Sequence, residues 1–148
     1  MRRQPAQALV WFTLALPLFL SVAGLAIDGA LALAARRELQ SLADGAARAG
    51  ATQVDVGLLR ASGGQQVQLD VPRAYGATHA YLDERLPRER PVGSEVAREV
   101  DVRPAWVRVA LQTSVPTAFL RIVRIDSVPI GAGGLANAES GIRAAGGR

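Results

Sequence analysis

The chain has 148 residues, of which 49% are hydrophobic, and its formal net charge is +4. This length accommodates one membrane anchor and one compact domain of roughly a hundred residues, which excludes a second globular domain. Cysteine is absent, which excludes a disulfide framework, a thiol nucleophile and a thiolate metal site. All 17 basic residues are arginine, and they are dispersed among acids. We interpret them as a solvated surface and not as a nucleic-acid interface.

An uncharged apolar segment follows the N-terminal arginines. No charged residue lies between Arg3 and Asp28, and the 20 residues Ala8–Ile27 suffice to cross a hydrocarbon core as a helix. The main alternative is a secretory signal peptide with a cleavage site near Ala23 or Ala26, but the apolar run exceeds the usual length of about 7–15 residues. We therefore predict one transmembrane helix.

The helix is expected to continue beyond the membrane as an amphipathic stem. From Asp28 to Ala51, apolar residues recur at three- and four-residue steps, and the charged residues lie mostly outside this stripe. A helix from residue 8 to residue 51 would be about 65 Å long, so only its first half fits within lipid. The residues predicted to pack along the stem are Leu31, Ala35, Leu39, Leu42 and Ala46.

Several residues of the span suit contacts in a membrane. Aromatic rings are favoured near an interface, proline removes a backbone hydrogen bond, and small residues let another helix approach closely. The small residues are equally compatible with an ordinary alanine-rich helix. The residues predicted to serve the span and its assembly are Ala8, Trp11, Phe12, Pro17, Gly24, Ile27, Asp28 and Gly29.

The acid at the end of the span, Asp28, has two interpretations. It could pair with a basic group of another subunit, or it could mark the end of the span where the helix meets solvent. The charges that flank the span do not decide its orientation, because Arg2 and Arg3 on one side are balanced by Arg36 and Arg37 on the other.

The order of short motifs along residues 4–51 resembles one protein family. The motifs in chain order are Ala6–Phe12, Leu14–Pro17, Ala26–Gly29, Arg36–Gln40 and Ala43–Ala47. This series is similar to the N-terminal region of tight-adherence (Tad, Flp-type) pilus assembly proteins, the TadE- and TadG-like minor pilins or pseudopilins. The resemblance implies a bacterial type IV pilus system and an inner-membrane helix with an extracytoplasmic head. It also implies assembly with other pilus or secretion-system proteins through N-terminal helices.

The same resemblance bears on N-terminal processing. Family members that prepilin peptidase cleaves have glycine before the cut and glutamate at the fifth mature position. The matching cut lies between Ala6 and Gln7, so Ala6 and Trp11 occupy these two positions. Trp11 lacks the carboxylate that would neutralise the N-terminal amine of a neighbouring subunit. The departures favour an unprocessed or minor component over a major pilin.

The residues after the stem predict a small α+β head with an antiparallel sheet and one or two helices, in a pilin-like arrangement. Period-two alternation predicts strands, and proline marks the starts and ends of elements. The predicted elements in chain order are a strand at Val67–Val71, a helix between Pro72 and Pro87, strands around Val96–Val102 and at Trp106–Thr113, a short helical stretch from Pro116 to Val123, and a strand at Val128–Ile130.

We expect three segments along the chain. Residues 1–51 form the transmembrane helix and stem, residues 52–130 form the head, and residues 131–148 form a flexible tail rich in glycine and alanine. A charged, proline-containing loop is expected at residues 88–93.

Candidate catalytic groups are sparse. The single histidine, His79, cannot form a zinc site alone, and the head carboxylates have arginines nearby that make solvated ion pairs the expected arrangement. Gly131–Gly134 lacks the Lys-Ser/Thr that completes a phosphate-binding loop. We therefore predict no catalytic residue, metal, cofactor, nucleic-acid partner or small-molecule substrate. The predicted function is non-enzymatic pilus assembly; the alternative is a membrane-tethered binding module or enzyme accessory unrelated to pili.

Overall fold

The computed structural model describes residues 4–86 and 95–138, so the predicted loop at residues 88–93 and the last ten residues lie outside the described part. The fold is α+β, as predicted. Its elements in chain order are helix α1 (Gln4–Ala51), helix α2 (Val56–Ala61), helix α3 (Val71–Arg85), strand β1 (Ala97–Arg103), strand β2 (Trp106–Pro116), a 3₁₀ helix (Leu120–Val123) and strand β3 (Ser127–Asn137).

The three strands form an antiparallel sheet in the order β1-β2-β3. In the centre of the sheet, Val109 lies opposite Val100 on one side and Gly134 on the other. Side chains alternate between the two faces of a strand, and Val107, Val109 and Leu111 of β2 are fully buried on one face. This face is therefore the one that the helices cover.

The second half of α1 packs on the buried face of the sheet, beside α3. Leu39 and Leu42 of α1 and Leu82 of α3 have exposures of 0–1% and lie in one core with the valines of β2. Fully burying a leucine side chain contributes about 1.5–3 kcal/mol relative to leaving it exposed. The stem and the sheet therefore share one hydrophobic core.

The glycine-rich residues 131–137 belong to strand β3, which corrects the prediction of a flexible tail that starts at residue 131. A side chain at Gly134 would bring its Cβ to 2.4 Å from the carbonyl oxygen of Ala43 in α1. Glycine lowers strand propensity but allows another backbone to approach closely. Gln40 of α1 also donates a hydrogen bond to the carbonyl of Gly133, over 2.8 Å.

Residues 67–71 do not form the predicted strand, because their backbone groups bond to several separate partners. Leu69 forms an isolated bridge with Val54 and donates to the carbonyl of Pro104 over 2.8 Å. Asp70 then accepts a hydrogen bond from the backbone N–H of Arg73 at 3.2 Å and caps α3. The helix consequently begins at Val71.

Helix α2 has no counterpart among the elements predicted from the sequence. Asp55 caps it by accepting a hydrogen bond from the N–H of Leu58 over 3.0 Å. The helix is followed by the predicted turn, in which Gly63 and Gly64 both have positive φ angles. A six-residue helix without buried side chains has little apolar periodicity, which is why the pattern did not indicate it.

The close contact between α1 and β3 generates a stability prediction. Gly134→Ala should lower the free energy of unfolding by about 1–3 kcal/mol, because the added methyl group overlaps the backbone of α1. Thermal unfolding of the full chain in detergent, followed by the fluorescence of Trp106 in a Trp11→Phe background, measures this change.

Gly133→Ala is the matched control, because its Cβ would meet the carbonyl oxygen of Val109 at an ordinary 3.6 Å. We expect its stability to be unchanged or raised by up to about 1 kcal/mol. Equal stabilities of the two alanine variants would contradict the close packing of β3 on α1.

An exposed ion pair joins α3 to β1. The guanidinium of Arg98 donates a hydrogen bond to the carboxylate of Asp83, and this bond and the positive charge of Arg98 lower the pKa of Asp83. A carboxyl group with a lowered pKa in the folded state stabilises the fold above its unfolded pKa of about 3.9. The stabilisation is lost as the pH falls through the lowered, folded-state pKa.

The pH dependence of this pair can be measured with Arg98→Gln. At neutral pH we expect a small loss of stability, because both side chains are partly exposed and the pair is screened by solvent. The difference from wild type should disappear when the pH falls below the folded pKa of Asp83. Asp83→Asn should give the same small loss, and a double variant less stable than both single variants would contradict the pairing.

Candidate functional site

An irregular segment between β2 and β3 folds back against α1 near Gly24 and Asp28. We call residues 117–126, which include the 3₁₀ helix, the return loop. The ring of Phe119 covers Gly24, where an added Cβ would lie 2.5 Å from the ring. Arg124 has a φ angle of 66°, in the left-handed region, and ends the 3₁₀ helix. The loop therefore contacts α1 one turn before the end of the predicted span.

The carboxylate of Asp28 fixes this loop to the helix. It accepts hydrogen bonds from the backbone N–H groups of Ala118 at 2.8 Å, Phe119 at 2.9 Å and Leu120 at 2.7 Å. Asp28 is only 4% exposed. Charge-assisted hydrogen bonds to backbone N–H groups are stronger than neutral ones, so three of them suit a buried carboxylate.

The partners of Asp28 are therefore different from the two that the sequence suggested, which were a basic group of another subunit and solvent. The oxygens of Asp28 accept hydrogen bonds from the backbone of the same chain, and its side chain is almost completely buried. No sequence pattern indicates this contact, because the residues that Asp28 binds lie about ninety positions further along the chain. Backbone donors, moreover, have no signature in side-chain patterns.

Further hydrogen bonds close the return loop on itself. The side chain of Thr117 donates to the carbonyl of Ile125. Four more backbone N–H groups of the loop donate to carbonyls of the same loop over 3.0–3.1 Å, from Thr117 to Asp126, from Ile122 to Phe119, from Arg124 to Arg121 and from Ile125 to Leu120. Much of the polar backbone of the loop is therefore satisfied within the protein.

The outward side chains of the return loop are apolar. Ile122 is 79% exposed, Val123 is 64% exposed and Phe119 is 41% exposed. Phe119, Ile122 and Val123 face Leu20 and Leu25 of α1 across an apolar groove. The loop and the helix consequently present one continuous apolar surface.

The first half of α1 is long and apolar enough to cross a membrane. The large apolar side chains from Leu9 to Ile27 are 47–72% exposed, in contrast to the buried stem. Among the predicted span residues, Trp11 and Phe12 are exposed at 70% and 67%, and Pro17 lies within the continuous helix. Around Gly29, no atom lies within 4 Å of an added Cβ.

The remaining predicted residues lie on α1 as follows. Ala6, Gln7 and Ala8 belong to its first turns. Of the predicted stem residues, Ala35, Leu39, Leu42 and Ala46 are buried, whereas Leu31 is 45% exposed. Leu31 lies beside the stripe that the chain buries, because this stripe reaches Ala35 from Asp28 through Ala32.

The stem also has buried small residues that the sequence analysis did not select. Ala43 and Ala47 are 0–1% exposed, and a Cβ on Gly50 would lie 2.3 Å from the hydroxyl of Thr78 in α3. These residues allow α3 and β3 to lie close to α1. Small residues in an alanine-rich helix give no periodic signal that distinguishes the buried ones from the exposed ones.

Other side chains of types that serve catalysis or metal binding make structural contacts here. The ring of His79 lies 4.3 Å from that of Tyr75, and its Nε2 atom is buried without a hydrogen-bond partner in the described part of the chain. Asp101 pairs with Arg103 at 3.0 Å. Within residues 4–86 and 95–138, no group of three His, Asp or Glu residues is arranged to hold a metal ion.

The contact between Asp28 and the return loop can be tested by hydrogen exchange. In Asp28→Ala, the amides of residues 118–120 lose their acceptor and should exchange at least about tenfold faster. The amides of Val107 and Val109, in the centre of the sheet, should keep their protection. Measurement on the full chain in detergent micelles compares both groups of amides in one experiment.

Asp44→Ala serves as a control on the same helix, since Asp44 binds Gln40 and not the loop. We expect the amides of residues 118–120 to exchange at the wild-type rate in this variant. Unchanged exchange of these amides in Asp28→Ala would show that Asp28 does not hold the loop.

Comparison with known proteins finds a family match for the helix that carries this site. Residues 6–53 match the family model described as "Putative Flp pilus-assembly TadE/G-like". No curated protein and no solved structure matches the chain. The matched residues cover α1 almost completely, including both its exposed apolar half and its buried stem. Over this segment, the chain is similar to the TadE/G-like proteins of Flp pilus assembly.

Proposed function

We propose that this chain is a non-enzymatic structural or assembly component of a tight-adherence type IV pilus or a related secretion system. In this role it resembles a minor pilin or pseudopilin. It acts through packing of its N-terminal helix in the membrane and through contacts of its head with other pilus proteins. The family match of residues 6–53 supports the pilus system as the setting.

The observation that carries the proposal is the division of α1 into two halves. The half before Asp28 exposes its apolar side chains, while the half after it supplies the core of the head. A flexible tether would need neither a continuous helix nor a shared core. A continuous helix instead transmits the position of the span directly to the head, as an assembly element requires.

The proposed location is the bacterial inner membrane, crossed once. The family resemblance implies a cytoplasmic N-terminus and an extracytoplasmic head. In that arrangement the exposed side chains of α1 meet lipid or the helices of other subunits. Close helix packing in membranes is favoured where small residues lie at the contact. Gly29, which has open space around it, is a suitable position for such a contact.

Gene deletion and complementation test the proposed function. Deleting the gene should abolish or strongly reduce surface pili and adhesion, and the wild-type gene should restore both. Gly29→Leu should fail to restore them at normal protein levels, because the bulky side chain separates the packed helices without a clash inside this chain. Pili are counted by electron microscopy of intact cells.

Gly76→Leu is the matched control, because Gly76 on α3 also has open space for a side chain and lies in the head. This variant should restore pili. Normal piliation and adhesion in the deletion strain would contradict the proposed function and favour a tethered binding module. If Gly29→Leu restores pili as well as wild type does, Gly29 is not a packing position.

A further inference from the structure

We propose that the return loop is a second membrane contact of this chain. Its apolar side chains enter the outer part of the bilayer on the head side, and Arg121 and Arg124 bind lipid phosphate groups. The proposal rests on the membrane span that is part of the proposed function. It adds a contact that lies outside the matched residues 6–53.

The return loop lies at the same depth as the last turns of the predicted span. A helix rises 1.5 Å per residue, so Gly24 lies about 4–5 Å below Ile27 and Leu20 about 10 Å below it. Phe119 covers Gly24, and the groove that includes Ile122 and Val123 extends to Leu20. A bilayer that covers α1 up to Ile27 must therefore also surround the tip of the return loop.

The exposed side chains at the tip of the return loop are apolar. Ile122 and Val123 are the most exposed apolar residues of the loop, at 79% and 64%, and they adjoin the apolar surface of the span. Apolar surface is unfavourable in water relative to burial. Acyl chains around the span would cover this surface without any further protein.

Many backbone N–H groups of the return loop have partners inside the protein. Irregular backbone at membrane depth requires partners for its polar groups inside the protein, since lipid supplies none. The N–H groups of residues 118–120 bind the Asp28 carboxylate, and other N–H groups bind carbonyls within the loop. The Asp28 carboxylate therefore supplies acceptors for N–H groups that water would satisfy if the loop were exposed to solvent.

The charges of the loop fit the same placement. Arg121 and Arg124 flank Ile122 and Val123 and are exposed, so their long side chains can reach from the apolar tip to the level of the lipid phosphates. Cationic side chains are favoured near an anionic membrane surface. The acid of the loop, Asp126, lies at its end, next to β3.

The experiment uses the absence of cysteine, which makes every introduced cysteine a unique labelling site. The full chain carries an environment-sensitive fluorophore at Ile122→Cys in vesicles of phosphatidylethanolamine and phosphatidylglycerol. Leu16→Cys marks the span, and Gln65→Cys marks the exposed surface of the head. Quenching is measured with nitroxide-labelled lipids and, separately, with aqueous iodide. A second loop label at Val123→Cys guards against a local disturbance at one site.

We expect nitroxide lipids to quench the labels at Ile122 and Leu16 and iodide to quench the label at Gln65. Iodide quenching at Ile122 equal to that at Gln65, with Leu16 still quenched by lipid, would overturn the loop contact and leave the span intact. Protection of Ile122 from both quenchers would also overturn it, because a protein surface such as a second copy would then cover the loop. Iodide quenching at Leu16 would overturn the span itself.

A double variant tests the arginines separately. Arg121→Gln with Arg124→Gln, in the Ile122→Cys background, should reduce nitroxide quenching at Ile122 in vesicles that contain phosphatidylglycerol. Unchanged quenching would overturn the assignment of these arginines to lipid phosphates. Thermal unfolding of each labelled protein verifies that the head remains folded.

Discussion

The structure depends on the packing of one face of α1 against the sheet and α3. Leu39 and Leu42 of α1 are buried in this contact, and Gly134 lets β3 reach the helix backbone. The buried stripe and the exposed apolar half belong to one continuous helix. When the head folds around the stem, the orientation of the head relative to the apolar half is therefore fixed. A three-stranded sheet has little core of its own, so removing the stem would expose its buried face.

Asp28 adds a second point of attachment between helix and head. It lies where the exposed apolar half of α1 meets the buried stem, and it binds the return loop, which connects β2 to β3. A carboxylate at this place would be unfavourable if it lacked partners, since burial disfavours the charged form. The three backbone N–H groups of residues 118–120 supply those partners and order the loop at the same time.

Two attachments make the span and the head a single mechanical unit. The stem is held through its core contacts, and the loop is held at Gly24 and Asp28. In the proposed role as a pilus component, helix packing in the membrane would set the orientation of the head toward its neighbours. The apolar tip of the return loop would further restrict the tilt of the head over the bilayer.

The sequence by itself determined the long helix with its apolar first half, α3 and the central strand β2, because an uncharged apolar run, a proline boundary or a local period indicates each of them. The order of the elements then indicated the fold class. Only the tertiary structure decided the roles of the small and polar residues. Gly131–Gly134 is indistinguishable from a flexible segment until α1 lies against it, and Leu31 and Ala35 both fit a helical stripe until the sheet selects one side. The charge of Asp28 is compatible with any position at the membrane boundary, so it does not identify a partner. Its partners are backbone groups from a distant segment, and their proximity exists only after the chain has folded.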